Sequence, residues 1–188
     1  MSSELSGFSD AELTALALAG RQDAYSELLK RHRERVFRLV RAATGDPTEA
    51  LDITQDVFIS AFASLTSFDT ARSFPIWLRR IALNKTRDWA RRRRVRAFFT
   101  RAAPLEDAGA IADDSVPADV QAADIAELAR VSAAISRLPG PLREVLLLRT
   151  VDGFSQAETA EVIGVNGKTV ETRLHRARAR LRNILSTK

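Results

Sequence analysis

The 188-residue chain contains no cysteine, and that one absence removes disulfides, thiolate nucleophiles and Cys-ligated zinc together. Only two histidines occur, His32 and His175, far apart in sequence and without a second nitrogen ligand nearby, so no metal site is expected. A glycine-rich phosphate loop is lacking, and so is any cluster of acids able to hold Mg²⁺. Asp52 and Asp56 lie one helical turn apart but lack a partner cluster of acids, so neither catalytic residues nor a cofactor are expected. No apolar run reaches the roughly 20 residues of a membrane-spanning helix. Met1 to Phe8 is polar and lacks the layout of a signal peptide, which points to a cytoplasmic protein without membrane insertion.

Positive charge is what the chain does have, and it is unevenly placed. The formal net charge is +5 and the sequence pI about 10.3, a balance that suits a polyanionic partner. Arg87 to Arg101 holds seven arginines and one aspartate. Lys168 to Lys188 holds seven Lys or Arg and one glutamate. Between them, Glu106 to Asp124 carries six acids and no base. Basic, acidic and basic blocks therefore alternate along the chain.

Nearly everything else reads as helix. Ser9-Asp-Ala-Glu12 is a capping box opening an apolar helix towards Gly20. Asp23 to Ala43 follows, with Tyr25, Leu28, Leu29, Val36, Phe37 and Val40 at helical spacing. Gly45-Asp46-Pro47 ends that helix and starts the next, with Asp46 as N-cap and Leu51, Phe58, Phe62 and Leu65 expected on one side. After a loop from Thr66 to Ser73, a helix from Pro75 to about Arg96 carries an apolar stripe of Trp77, Leu78, Ile81 and Trp89. Its Arg80, Asn84, Arg87 and Arg91 share a different face. Thr100 to Ala122, rich in Ala, Asp and Pro, has no periodic stripe and reads as a linker, either disordered filler or a polyanion mimic for a basic channel.

Helix resumes near Asp124 and runs to Arg137, is broken at Pro139-Gly140-Pro141, and returns from Leu142 to Val151. Ser155-Gln-Ala-Glu158 is a second capping box opening a short helix to Ile163. A tight turn at Gly164-Val165-Asn166 leads into a long helix from Lys168, with Val170, Leu174, Ala177, Leu181 and Leu185 inward. Helix, glycine-containing turn and second helix is the layout of a helix-turn-helix. The expected fold is all-α: two helical domains, 1–98 and 124–188, joined by a flexible acidic linker at 99–123.

A helix-turn-helix sets its second helix in the major groove, where each base pair displays its own donor and acceptor pattern. Lys168, Thr169, Glu171, Thr172, His175 and Arg176 occupy the turns that would meet base edges. Arg173, Arg178 and Arg182 suit phosphates. An ordinary solvated face would also carry arginines near a helix C-terminus, but turn, capping box and charge coincide here. In the first domain, Phe68, Phe74, Trp77, Asn84, Arg87, Trp89 and the run Arg91, Arg92, Arg93, Arg94 interleave rings with cations, as single-stranded DNA binding requires. The rings taken one by one are also natural core residues. The face of Asp52, Gln55, Asp56 and Ser60 is a docking surface for a basic protein or a solvated helix side.

Two long segments resemble the bacterial sigma factors of the sigma-70 family. One runs Asp52-Ile-Thr-Gln55-Asp56-Val-Phe58, Phe68, Phe74-Pro-Ile-Trp77-Leu78-Arg-Arg-Ile81-Ala82-Leu-Asn84, Asp88 and Arg91 to Arg94, and is similar to their second conserved region. The other runs Leu138-Pro139, Arg143-Glu144-Val145, Leu148-Arg149, Asp152-Gly153-Phe154-Ser155-Gln156-Ala-Glu158, Gly164-Val165, Thr169-Val170 and Arg173-Leu174-His175-Arg176-Ala177-Arg178, and is similar to their fourth. With only a short tether between them, the chain resembles the extracytoplasmic-function (ECF) group.

The resemblance implies a non-enzymatic transcription-initiation factor. It implies that Asp52, Gln55, Asp56 and Phe58 bind core RNA polymerase at the coiled coil of its largest subunit. It implies that Asn84 and the loop Phe68–Phe74, with Trp77, hold a flipped base of a downstream promoter element, while Arg80, Arg87 and Arg91 to Arg94 track the strand. The helix-turn-helix would read an upstream element through Glu171, Thr172, His175 and Arg176 and rest on the polymerase flap. An anti-sigma factor is implied as regulator. Two positions depart from the family pattern: Lys168 stands where Gly is usual before Thr-Val, and Glu171 where a base is common. The remaining alternatives are a dimeric helix-turn-helix regulator, which would leave the Asp52–Phe62 helix unexplained, and a nucleic-acid enzyme, for which no metal cluster or nucleophile is apparent.

Overall fold

In the computed structural model, residues 5–101 and 120–186 are described. Eight α-helices make up these residues, with no strand among them: α1 Asp10–Leu18, α2 Gln22–Thr44, α3 Pro47–Ala63, α4 Phe74–Arg101, α5 Val120–Ser136, α6 Gly140–Thr150, α7 Gln156–Ile163 and α8 Gly167–Ser186. A single 3-10 turn, Leu65–Ser67, follows α3.

Local chemistry sets most of the helix ends. Ser9 accepts from the Glu12 N–H while the Glu12 carboxylate takes the Ser9 N–H, so two donors of the first turn of α1 are satisfied. Asp46 accepts from the N–H groups of Thr48 and Glu49 at 2.9 and 3.1 Å, ahead of Pro47, whose missing N–H costs nothing there. Gly45 ends α2 at φ 73°, a left-handed conformation that a side chain would strain.

In the first half, α1 to α4 wrap Leu13, Leu28, Val36, Leu39, Val40, Val57, Leu78 and Leu83 into one core. Each such buried aliphatic side chain contributes about 1.5–3 kcal/mol. The α3 helix differs from the expected stripe: Ala50, Ile53, Val57, Phe58 and Ala61 turn inward, whereas Leu51 is half exposed. The buried arc is centred on Ala50, Val57 and Ala61, and the 100° step from Ala50 puts Leu51 at its rim. The N-terminal segment is pinned by Arg31, which donates to the carbonyls of Leu5, Ser6 and Phe8 and pairs with Asp10 and Glu27. The buried Trp89 donates its indole N–H to Glu49 Oε2 at 2.7 Å, tying α4 to the start of α3.

In the second half, Leu138, Leu146 and Ala177 form a small core with Ile135, Leu142, Leu174, Leu181 and Ile184. Leu147, Leu148, Phe154 and Val162 instead join the core of the first half, so α6 and α7 lie against α2 and α4. Two boundaries differ from expectation. The α4 helix continues past residue 98 to Arg101, and α5 starts at Val120 rather than near Asp124. Residues 102–119, most of the expected linker, lie outside the described residues. No described helix is long and apolar enough to cross a membrane.

Candidate nucleic-acid interface

The α4 helix displays Arg80, Asn84, Arg87, Arg91, Arg92, Arg93 and Arg94 to solvent. Arg80, Asn84, Arg87 and Arg91 are spaced clear of the buried stripe of Leu78, Ala82, Leu83 and Trp89, whereas Arg93 follows on the line of that stripe one turn beyond Trp89. Arg91 pairs with Asp88 at 3.1 Å, and the Arg93 guanidinium lies 5.2 Å from the Trp89 ring centroid. The Asn84 side-chain oxygen accepts from Arg87 at 3.1 Å.

The aromatic residues near the start of α4 lie differently. Phe68 and Phe74 are buried, and with the half-buried Trp77 they form a closed cluster, centroids 4.8–5.6 Å apart. The His32 ring packs on Phe74 from below, at 5.3 Å. These rings meet edge to face or tilted and hold the 68–74 loop to α4. The large rings that do face solvent beside arginines are Phe98 and Phe99, 73% and 66% exposed. They line a cleft with Arg91, Arg94 and Val95. Sequence reasoning missed them, although adjacent phenylalanines on a helix cannot share one buried face.

The helix-turn-helix is built as its motif suggests. The Ser155–Glu158 capping box opens α7, and Gly164 closes it at φ 70°. Asn166 accepts from both the N–H and the hydroxyl of Thr169 at 2.8 Å, so this hydroxyl is engaged in capping α8. Gln156 Nε2 donates to the Gly167 carbonyl at 2.8 Å, fixing the angle between α7 and α8. Val170 and Ala177 face inward. Lys168, Glu171, Thr172, His175, Arg176 and Arg178 are exposed together, while Thr169 and Arg173 are half buried.

On α3, Asp52, Gln55 and Asp56 are exposed beside Leu51 and Ile59, which are 51% and 57% exposed. Phe58, expected on this surface, is buried against Phe62, 5.8 Å between centroids, and supports the helix from behind. Leu51 and Ile59 were missed as surface residues because apolar side chains on a helix read as core.

Contacts between the halves engage the α4 face. Arg79 Nε meets Asp152 Oδ1 at 2.8 Å with both side chains buried. Arg80 donates to the Glu161 carbonyl at 2.6 Å. Arg87 makes two bonds to the Glu144 carboxylate, both 2.7 Å, which hold its guanidinium more firmly protonated. Burial raises the Asp152 carboxyl above the ordinary aspartate range, against the opposing pull of Arg79. No group of acids or histidines able to hold a metal ion occurs among the described residues.

Residues 28–96 match the family Sigma-70 region 2, and residues 128–181 match Sigma-70, region 4. The chain is 41% identical over 179 residues to the RNA polymerase sigma factor CnrH of Cupriavidus metallidurans, covering 94% of each chain. The chain belongs to the sigma-70 family. It is 37% identical to the ECF RNA polymerase sigma factor SigM of Mycobacterium tuberculosis, over 94% of this chain and 85% of that one, which sets it in the ECF group. A solved structure of CnrH in complex with the cytosolic domain of CnrY superposes with a TM-score of 0.72 at 34% identity, covering 95% of this chain and 98% of that one. This sigma factor is therefore an initiation factor that directs RNA polymerase to promoters and catalyses nothing itself.

Proposed function

We propose that the two halves, 1–98 and 124–188, divide the work of initiation. Asp52, Gln55 and Asp56, framed by the exposed Leu51 and Ile59, dock on the coiled coil of the largest polymerase subunit. An apolar patch rimmed by carboxylates suits a helical partner with basic flanks. The α4 face engages the downstream promoter element: Asn84 offers an amide to an unpaired base, and Arg80, Arg87 and Arg91 to Arg94 follow the phosphates. The Phe68–Phe74–Trp77 cluster shapes the loop that receives the flipped base. Phe98 and Phe99, packed edge to face with centroids 5.8 Å apart, extend the track with two exposed rings on which bases can stack. The upstream element is read by Glu171, Thr172, His175 and Arg176, with Lys168, Arg173 and Arg178 on phosphates, and the second half rests on the flap. Glu171 can accept from a cytosine amino group. The factor works in the cytoplasm, where the polymerase is, and an anti-sigma factor restrains it; CnrH is seen with CnrY bound.

The observation that carries this reading is the coexistence of an arginine face on α4 and a helix-turn-helix in one chain of this family. Reconstituted transcription tests it: core polymerase, a pool of genomic promoter fragments, with and without the protein. New starts that share a pair of spaced elements are expected. Absence of starts, with tight duplex binding by the protein alone, would replace this reading with a dimeric regulator.

A further inference from the structure

We propose that His32 is a positioning residue for promoter opening: held at one edge by the Asp10 carboxylate, its ring fixes Phe74 and, through Phe74, the 68–74 loop that receives the flipped base. The proposal rests on the assignment of that loop, with Asn84, to base capture.

The loop has little else to stand on. Residues 69–73 are all exposed. Among the described residues, the hydrogen bonds of 69–72 stay within the loop. The Ala71 N–H donates to Asp69 Oδ1 at 3.0 Å, the Arg72 N–H donates to the Asp69 carbonyl at 2.9 Å, and the Arg72 side chain pairs with Asp69 at 3.4 Å. These bonds shape the turn but do not place it on the body of the protein. Placement falls to the rings at its two ends, Phe68 and Phe74, which are buried and meet edge to face at 5.6 Å. Two rings in contact can still shift together unless a fixed surface stops them. Trp77 packs against both, and the His32 ring of α2 lies 5.3 Å from the Phe74 centroid.

The outer torsion of a histidine has broad wells, so packing alone does not set the plane of its ring. Here His32 Nε2 lies 2.8 Å from Asp10 Oδ2, and a hydrogen bond at the edge of the ring sets the plane. His32 is 7% exposed, so water competes poorly for that bond. Asp10 is itself firmly held. It stands in the first turn of α1, and its other oxygen meets Arg31 at 3.4 Å. The Arg31 guanidinium is fixed in turn by the carbonyls of Leu5, Ser6 and Phe8 and by Glu27. A line of contacts thus runs from the N-terminal backbone through Arg31, Asp10, His32 and Phe74 to the loop. Filling the space beneath Phe74 needs only an apolar side chain. A ring with a polar edge aimed at a fixed carboxylate also gives that surface an orientation.

Three variants of the full chain separate the parts. His32→Gln keeps a donor for Asp10 and removes the ring. Asp10→Ala keeps the ring and frees its edge. Asp10→Asn keeps an oxygen for the ring N–H. The chain has two tryptophans, so 5-fluorotryptophan gives two ¹⁹F resonances, assigned with Trp89→Phe. In His32→Gln and Asp10→Ala the Trp77 resonance should move, while that of Trp89, bonded to Glu49, stays. Both variants should bind core polymerase like the wild type. Their holoenzymes should open promoters about tenfold more slowly, the size of one aromatic contact, read by 2-aminopurine fluorescence in the downstream element. Asp10→Asn should recover both resonance and rate, although it too is less stable than the wild type. Asp10→Ala serves if His32→Gln fails to fold. An unmoved Trp77 resonance in the folded variants, or Asp10→Asn as slow as Asp10→Ala, would overturn the positioning role. So would wild-type opening by His32→Gln when Asn84→Ala opens slowly in the same assay. Normal opening by Asn84→Ala would instead remove base capture from this site, and the proposal with it.

Discussion

Reversing both carboxylates on the α3 surface, Asp52→Lys with Asp56→Lys, should weaken binding to core polymerase about 30-fold while leaving the fold intact. Both side chains are exposed and sit one turn apart, with no hydrogen bond or ion pair to another described residue. Replacing two like charges with two like charges of opposite sign leaves their mutual repulsion unchanged. The stability change should therefore stay within about 0.5 kcal/mol, as for other surface substitutions. At the interface the arithmetic differs. An exposed ion pair contributes about 0.5 kcal/mol, and reversal turns that attraction into a similar repulsion. Two sites then cost about 2 kcal/mol, and every 1.4 kcal/mol is a factor of ten in Kd. Fluorescence anisotropy of the labelled protein titrated with core polymerase measures it, at low salt and again at several-fold higher salt, where screening should shrink the gap. An unchanged Kd at low salt in the folded variant would refute the docking face.

Other surfaces make separate predictions. Arg176→Ala should cost about 1–3 kcal/mol at the upstream element and relax preference at one base pair, measured by holoenzyme binding to promoter variants; an unaltered preference would remove Arg176 from base reading. Phe98→Ala with Phe99→Ala should reduce affinity for single-stranded promoter DNA by about 1–3 kcal/mol per lost stack and spare duplex binding, both read by anisotropy. Equal loss on both DNA forms would argue against stacking. Asp10 responds to pH: burial raises its carboxyl, but the His32 hydrogen bond at 2.8 Å and the Arg31 guanidinium bring the net value below 3.8. A depressed value means that its stabilisation is present above about pH 4 and is lost as pH falls through the folded value. Asp10→Asn should therefore destabilise by about 1–2 kcal/mol at pH 7, with the gap narrowing in urea titrations as pH falls through the depressed folded value; a gap independent of pH would contradict this.

Legibility in the sequence tracked the reach of each interaction. Both capping boxes and the Asp46 cap join residues two or three apart, so the residue types announce them. The recognition helix was visible for the same reason, down to its start within one residue of Lys168. The face of Arg80, Asn84, Arg87 and Arg91 needed only helical spacing. Leu51, Ile59, Phe98 and Phe99 escaped because hydrophobic character names a preference for burial, and helix neighbours decide whether burial is offered. The Phe68–Phe74–Trp77 cluster was visible as three rings, but its closure depends on His32 packing beneath it from α2.

The sequence by itself determined the helices, their caps, the helix-turn-helix and the alternating charge blocks, because each is written in interactions within a turn or in composition. Tertiary structure alone decided which arginines of α4 are available. Arg79 and Asp152 are 73 residues apart, and Arg87 and Glu144 are 57 apart. Nothing local distinguishes Arg79 from Arg80, yet one is buried in an ion pair and the other is exposed. A 100° step between consecutive helical residues sends their side chains to different neighbours, and those neighbours come from the other half of the chain.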